Sequence, residues 1–242
     1  MSVKDDHSIF TIRKEATFTG IVHSTFILLI LALFAIKPSS IEVYAQPVRY
    51  YAGYMMYGPS SNGAPWGISA QIYTINPTVP YGNTMFEWVS IILSYSNNWW
   101  LQVGYHKEPS SFSGLRFYYE VVTDSVITHY HYPTGPLTNA RYSYLIVHGS
   151  GNNWGFLIKD SNTNTIYDTQ VNIGSGSYSP QDLQAFAETT SSIIRLDGTH
   201  FRYISYYDGR RFPLWNTHVY FFTNPYTLTQ VSHSEFYASG GG

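Results

Sequence analysis

The stretch that decides the fold is residues 85–106, which read MFEWVSIILSYSNNWWLQVGYH. Two runs rich in aromatic and β-branched residues lie on either side of Asn97 and Asn98. Such residues favour strands, whereas asparagine tolerates the backbone angles of a tight turn. The stretch therefore predicts an antiparallel hairpin.

Short runs of the same kind recur through the rest of the chain at spacings of about 8 to 15 residues, separated by Gly, Pro and Asn clusters. The clusters at 149–153 and 160–164 predict further tight connections. One segment departs from this pattern, because Ser179 could cap a short helix over residues 180–187, with Pro180 at its first position; the sequence leaves open whether this segment is a helix or a strand. The whole pattern predicts an all-β protein, a two-sheet antiparallel β-sandwich of jelly-roll or concanavalin-like form.

Residues 1–45 are predicted to be a signal peptide or a membrane anchor. They contain the apolar run GIVHSTFILLILALFAI at 20–36, which is at the short limit for spanning a bilayer. Val-Tyr-Ala at 43–45 matches a cleavage site before Gln46, so cleavage is the preferred interpretation. The charges before the run are mixed, so an uncleaved anchor remains the alternative. Either interpretation predicts a protein that works outside the cell or at its surface.

The rest of the chain divides into three parts by composition. Residues 46–65 mix Gly, Pro, Ser and Tyr without a sustained period, which predicts a linker or an irregular first strand, with order beginning near Trp66. Residues 66–238 form the predicted sandwich. Residues 239–242, Ser-Gly-Gly-Gly, are predicted to be a flexible tail.

The composition excludes several classes of function. A formal net charge of −2 provides no basic surface that would bind a nucleic-acid backbone. The absence of cysteine excludes disulfides, a thiol nucleophile and a thiolate metal site. His129 and His131 would share one strand face at a spacing used by metal ligands, but the sequence names no third ligand. We therefore predict neither a metal site nor a cofactor.

Five residues in strand-like contexts form an ordered series: Trp66 in PWGISA, Trp88 in FEWVSI, Gln102 in WWLQVGYH, Glu120 in FYYEV and Glu188 in AFAETTS. The series resembles the eqolisin family of glutamic peptidases, which are secreted, acid-active enzymes on a concanavalin-like β-sandwich. In that family a Trp-Val strand, a Leu-Gln-x-Gly strand, a Tyr-Glu strand and an Ala-Glu strand follow one another in this order.

The resemblance implies that Gln102 and Glu188 are the catalytic pair of an acid endopeptidase. It also implies that the substrate is a polypeptide, bound in a cleft whose matching residues are Trp66, Trp88 and Glu120. The chain departs from the family pattern in two ways: Ile-Ile-Leu at 91–93 replaces an acidic residue, and the family's cysteines are absent.

Strand alternation gives the same residues a physical interpretation. Gln102 and Gly104 would lie on one face of their strand, so that Gly104 leaves space beside the amide. Tyr118 would share a face with Glu120 and is therefore a further candidate substrate-binding residue.

Two other classes of function remain open. A sheet rich in Tyr and Trp also suits a carbohydrate-binding module, because sugar rings stack on aromatic side chains. A structural surface or filament subunit would instead bind copies of itself through an unpaired strand edge. In all three cases contact with a membrane is expected only through an uncleaved N-terminal segment.

Overall fold

A computed structural model describes residues 48–57, 66–109, 114–124, 126–174, 178 and 180–242. These residues contain fourteen strands and no helix. The strands are β1 (Tyr50–Tyr57), β2 (Gly67–Tyr73), β3 (Met85–Ser94), β4 (Trp99–Lys107), β5 (Leu115–Val122), β6 (Ile127–His131), β7 (Arg141–His148), β8 (Asn153–Lys159), β9 (Thr165–Asn172), β10 (Asp182–Thr189), β11 (Thr199–Tyr206), β12 (Val219–Phe222), β13 (Thr227–Ser232) and β14 (Glu235–Ser239).

The strands form two seven-stranded sheets, so the predicted all-β sandwich is confirmed. The first sheet has the order β12-β1-β10-β3-β4-β5-β6, and the second has the order β13-β14-β11-β2-β7-β8-β9. All of the strand pairs are antiparallel. The hairpin predicted over residues 85–106 is β3 and β4, in which Val89 pairs with Val103. Asn98 has a φ of 54°, the left-handed conformation that asparagine tolerates in a tight turn.

The hydrophobic core lies between the two sheets. Leu101, Val103 and Tyr105 of β4 are fully buried there, as alternate residues of one strand should be. Glu87 of β3 is buried in the same layer, where the Thr199 hydroxyl donates a hydrogen bond of 2.6 Å to its carboxyl group. Burial raises the pKa of Glu87 to about 8.

The short helix considered for residues 180–187 is not formed, because this segment contains most of strand β10. β10 pairs with β1 on one side and with β3 on the other. Ala185 and Ala187 lie in the core, while Phe186 and Glu188 alternate with them on the opposite face. Hydrogen bonding to two neighbouring strands overrides the local capping signal. Ser179, the predicted cap, lies outside the described residues.

Residues 50–57, in the stretch interpreted as a linker or an irregular first strand, form the strand β1, so order does not begin near Trp66. This strand lies inside the first sheet, between β10 and β12. The strand shows no alternation of polar and apolar residues. Ala52 and Tyr54 on one face lie in the core, and Tyr51 and Met55 on the other face are also apolar. The sequence signal that identifies a half-buried strand is therefore missing.

The C-terminal tail is hydrogen-bonded to the sandwich rather than flexible. The carbonyl of Gly240 accepts a hydrogen bond from Leu196 N at 3.0 Å, and Gly242 N donates to the carbonyl of Ser192 at 3.4 Å. Positive φ angles at Gly240 and Gly242 allow the chain to turn back in this way.

The predicted leader, residues 1–45, lies outside the described residues. Across 48–57, 66–109 and the later described ranges, no helix is long and apolar enough to cross a membrane.

Candidate active site

Gln102 and Glu188 project from the same face of the first sheet, the one that points away from the core. We call it the outer face. Gln102 alternates with core residues of β4 and is paired with Ser90 of β3. Glu188 alternates with core residues of β10 and is paired with Phe86 of the same β3. The two side chains are thus carried by strands on either side of β3, and both are buried, with exposed fractions of 9% and 3%.

Both carboxylate oxygens of Glu188 have a polar partner. The indole Nε1–H of Trp88 donates to Oε2 at 3.0 Å. The guanidinium of Arg49 donates to Oε1 and forms an ion pair with it. Burial raises the pKa of Glu188, and these two partners act against that increase. Tyr51, next to Glu188 on β1, has its pKa raised to about 12 by burial and by the nearby carboxylate.

The amide of Gln102 is held by Tyr118. Its Nε2 donates a hydrogen bond to the phenol oxygen of Tyr118, which is fully buried on β5. Burial raises the pKa of Tyr118 well above its ordinary value, so the phenol stays neutral.

Gly104 allows β3 to approach β4 closely, since an added Cβ would lie 2.1 Å from the carbonyl oxygen of Glu87 and 2.8 Å from Trp88 Cβ.

An aromatic cluster lies among these polar groups. Trp88, Tyr118 and Phe186 are its buried members, so two of the predicted cleft residues belong to it. Glu120 is also on this strand face, opposite Gln102, and its carboxylate lies 3.6 Å from His129 Nδ1.

Trp66 is not placed with the other predicted residues. It immediately precedes β2 of the second sheet, and its ring packs on His148 with the ring centroids 4.6 Å apart. We therefore leave Trp66 out of the candidate site.

Three histidines lie beside Tyr118 on the outer face. His131 Nδ1 is 2.6 Å from His106 Nε2, and the rings of His129 and His131 are 4.4 Å apart. His106 of β4 is thus the third histidine of this group, and the sequence alone did not identify it. Burial and the neighbouring imidazoles lower the pKa of His106 to about 3. Within the described ranges, no three His, Cys, Asp or Glu side chains are arranged to hold a metal ion.

Sequence reasoning missed two contributors to this site. Arg49 lies in the stretch interpreted as a linker, 139 positions from Glu188, and no local pattern connects the two. Phe186 lies in the segment that the sequence left open between helix and strand, although the alternation of Ala185, Phe186, Ala187 and Glu188 was available as a strand signal.

Solved structures with the same architecture have been found. Scytalido-glutamic peptidase, bound to a peptide-based transition-state analogue, superposes with a TM-score of 0.58 over 79% of this chain and 98% of that one. SCP-B, an eqolisin peptidase in complex with the tripeptide Ala-Ile-His, gives a TM-score of 0.55 over the same shares of the two chains. The fold is that of the eqolisin peptidases.

The fold is similar although the sequences have very little in common. The identities are 12% to Scytalido-glutamic peptidase and 9% to SCP-B, so these comparisons establish the fold alone. No family model and no curated protein matches the sequence.

Proposed function

We propose that this protein is an acid endopeptidase of the glutamic type, which hydrolyses peptide bonds outside the cell or at its surface. The observation that carries the proposal is the placement of Gln102 and Glu188. Both are buried polar side chains on one face of one sheet of an eqolisin fold, and an aromatic cluster lies between them. A buried carboxyl with a perturbed pKa beside such a cluster is a typical catalytic candidate.

In this proposal Glu188 is the general base and then the general acid. Its carboxylate takes a proton from the water that attacks the scissile carbonyl and passes it to the departing amine. The indole of Trp88, 3.0 Å from Oε2, orients that carboxylate. A fixed orientation matters because proton transfer requires the base within hydrogen-bond reach of the water.

Gln102 would stabilise the oxyanion that forms on the scissile carbonyl. An amide nitrogen carries two N–H donors. One of them is engaged by the Tyr118 phenol, which leaves the second for the substrate. Because the phenol is buried and fixed on β5, the amide is oriented before the substrate binds, and such preorganisation is what makes an oxyanion donor effective.

Substrate and location follow from the same hypothesis. The solved eqolisin structures contain a peptide-based analogue and a tripeptide, which supports a polypeptide as the substrate here. The predicted leader supports export. With only 12% charged residues, few surface groups change charge between neutral and acid pH, and this suits an acidic exterior.

The test is cleavage of an unfolded protein between about pH 2 and pH 7, the range over which carboxyl groups titrate. We expect Glu188→Gln to abolish cleavage, and Gln102→Ala to reduce it about a hundredfold or more, as loss of an oxyanion donor does. Glu235→Gln on β14 is the matched control and should retain activity. Circular dichroism should show that all variants stay folded. Full activity of folded Glu188→Gln would refute the proposal.

A second candidate, assembly with copies of this chain, is favoured by one observation. β12 is an edge strand of the first sheet, and all four of its residues, Val219, Tyr220, Phe221 and Phe222, are exposed by 42% to 54%. Exposed apolar edge strands promote association. Concentration-dependent oligomers that Phe222→Lys abolishes would support this candidate, whereas a monomer at all concentrations would contradict it.

A further inference from the structure

The ion pair between Arg49 and Glu188 joins a half-exposed side chain to a buried one. Glu188 is nearly inaccessible, with 4% of its side chain exposed, whereas 46% of the Arg49 side chain is exposed. Arg49 immediately precedes β1, and β1 lies beside β10 in the sheet. The cation therefore reaches the carboxylate from the neighbouring strand at its solvent-accessible side.

A carboxyl group in these surroundings ionises more readily when a positive charge lies beside it. Trp88, Phe186 and Phe86 provide an apolar environment, in which a lone carboxylate becomes protonated rather than stay charged. The ion pair and the indole N–H oppose this tendency. The guanidinium of Arg49 is charged, whereas the indole of Trp88 is neutral.

The other titratable groups that act on Glu188 do not replace Arg49. Tyr51 of β1 and Tyr118 of β5 have raised pKa values and are neutral at acid pH. Glu120 of β5, where it is ionised, repels the carboxylate and raises its pKa further. Among the described groups that act on this carboxyl, Arg49 is the positive charge.

We infer that Arg49 is the positioning residue that lowers the pH at which the buried carboxyl of Glu188 loses its proton. This inference rests on the proposed function, because a general base must be ionised when it takes a proton from water. An acid peptidase works at a pH where an unassisted buried carboxyl is protonated. Arg49 thus extends the activity to lower pH.

The sign of the effect is fixed by electrostatics. Removing the cation raises the pKa of Glu188, so at a given acid pH a smaller fraction of it is ionised. Activity on the acid side of the profile falls, and it recovers once the pH exceeds the raised pKa. A nearby opposite charge shifts a carboxyl by about 1 to 3 pH units.

The experiment compares Arg49→Met and Arg49→Lys in the full chain, with Arg195→Met as the matched control at an exposed ion pair with Asp197. We expect the acid limb of kcat/KM to move up by about one pH unit or more in Arg49→Met, while the plateau changes only a few-fold. Arg49→Lys should keep the limb near that of the unmodified protein. A uniform loss at every pH, or a gain at every pH, would overturn the inference.

A second measurement does not depend on activity. Trp88 donates its indole N–H to Glu188, so protonation of that carboxyl should change the tryptophan fluorescence. The change of fluorescence with pH that is absent from Glu188→Gln is assigned to the carboxyl group of Glu188. Its midpoint should move up in Arg49→Met, and an unmoved midpoint would overturn the inference. A moved midpoint without hydrolysis by any variant would support Arg49 as the counter-ion and reject the peptidase.

Discussion

Two buried glutamates on adjacent strands show how far the surroundings decide the chemistry of one residue type. Glu188 of β10 faces outward, where Arg49 and Trp88 meet its carboxylate. Glu87 of β3 is paired with Ala187, the neighbour of Glu188, but points into the core. Its hydrogen-bond partners there are two neutral hydroxyl groups, those of Thr199 and Tyr105. A cation and an indole N–H therefore oppose the effect of burial on the pKa of Glu188, whereas Glu87 has no cation beside it and its pKa is raised to about 8.

Glu87 makes the protein more stable in acid. Its pKa is about 8 in the folded chain, above the ordinary value of 4.5, so the folded state binds a proton that the unfolded state releases between these values. The contribution of Glu87 to the unfolding free energy is highest below pH 4.5 and should fall, on the order of a few kcal/mol, as the pH rises towards 8. Asp182, with a pKa raised to about 7, adds an effect of the same sign.

Glu87→Gln should remove most of this pH dependence, because the amide keeps the acceptor for Thr199 without the charge. Urea unfolding at pH 5 and pH 8 measures this pH dependence of the unfolding free energy directly. The variant should be the more stable protein at pH 8, and equal slopes against pH for the two proteins would contradict the assignment. Because Glu87 faces the core, hydrolysis at acid pH should be unaffected.

At the scale of the strand, prediction from sequence succeeded where the turn and strand signals were clear, and it failed where they were missing or misleading. β4 was predictable because aromatic and β-branched residues fill it and a clear turn precedes it. β1 was not, because both of its faces are apolar and the alternation is invisible. β10 carries a helix-capping signal at its start, but the strands on both sides of it decide its conformation.

The β3–β4 pair supplies a prediction about Gly104. An added Cβ there would lie 2.1 Å from the carbonyl oxygen of Glu87 and 2.8 Å from Trp88 Cα, both of which are backbone atoms. Gly104→Ala should therefore force the strands apart and lower the unfolding free energy by about 1 to 3 kcal/mol. Gly114→Ala, with nothing within 4 Å of the new Cβ, is the control. Equal melting temperatures for the two variants would show that the contact is absent.

At the scale of the whole molecule, the sequence predicted the fold and the proposed catalytic pair for different reasons. The fold follows from strand and turn patterns repeated along the chain. Gln102 and Glu188 came from short motifs whose order resembles a family. Arg49 was not predictable, because its relation to Glu188 exists only once β1 and β10 are neighbours, with 139 positions of sequence between the two residues.

Arg49 connects the processing of the N-terminus to the chemistry of the site. If the predicted leader is removed before Gln46, Arg49 stays in the mature chain, and N-terminal sequencing of secreted protein should begin at Gln46. An intact N-terminus on membrane-bound protein would favour the anchor instead. Cleavage after Arg49 would remove the cation and leave β1 complete from Tyr50. A chain that begins at Tyr50 and is acetylated there, so that no new α-ammonium replaces the lost cation, should therefore reproduce the pH profile of Arg49→Met, with activity lost first on the acid side. The same profile as the longer mature chain would mean that the carboxylate of Glu188 is held ionised without Arg49.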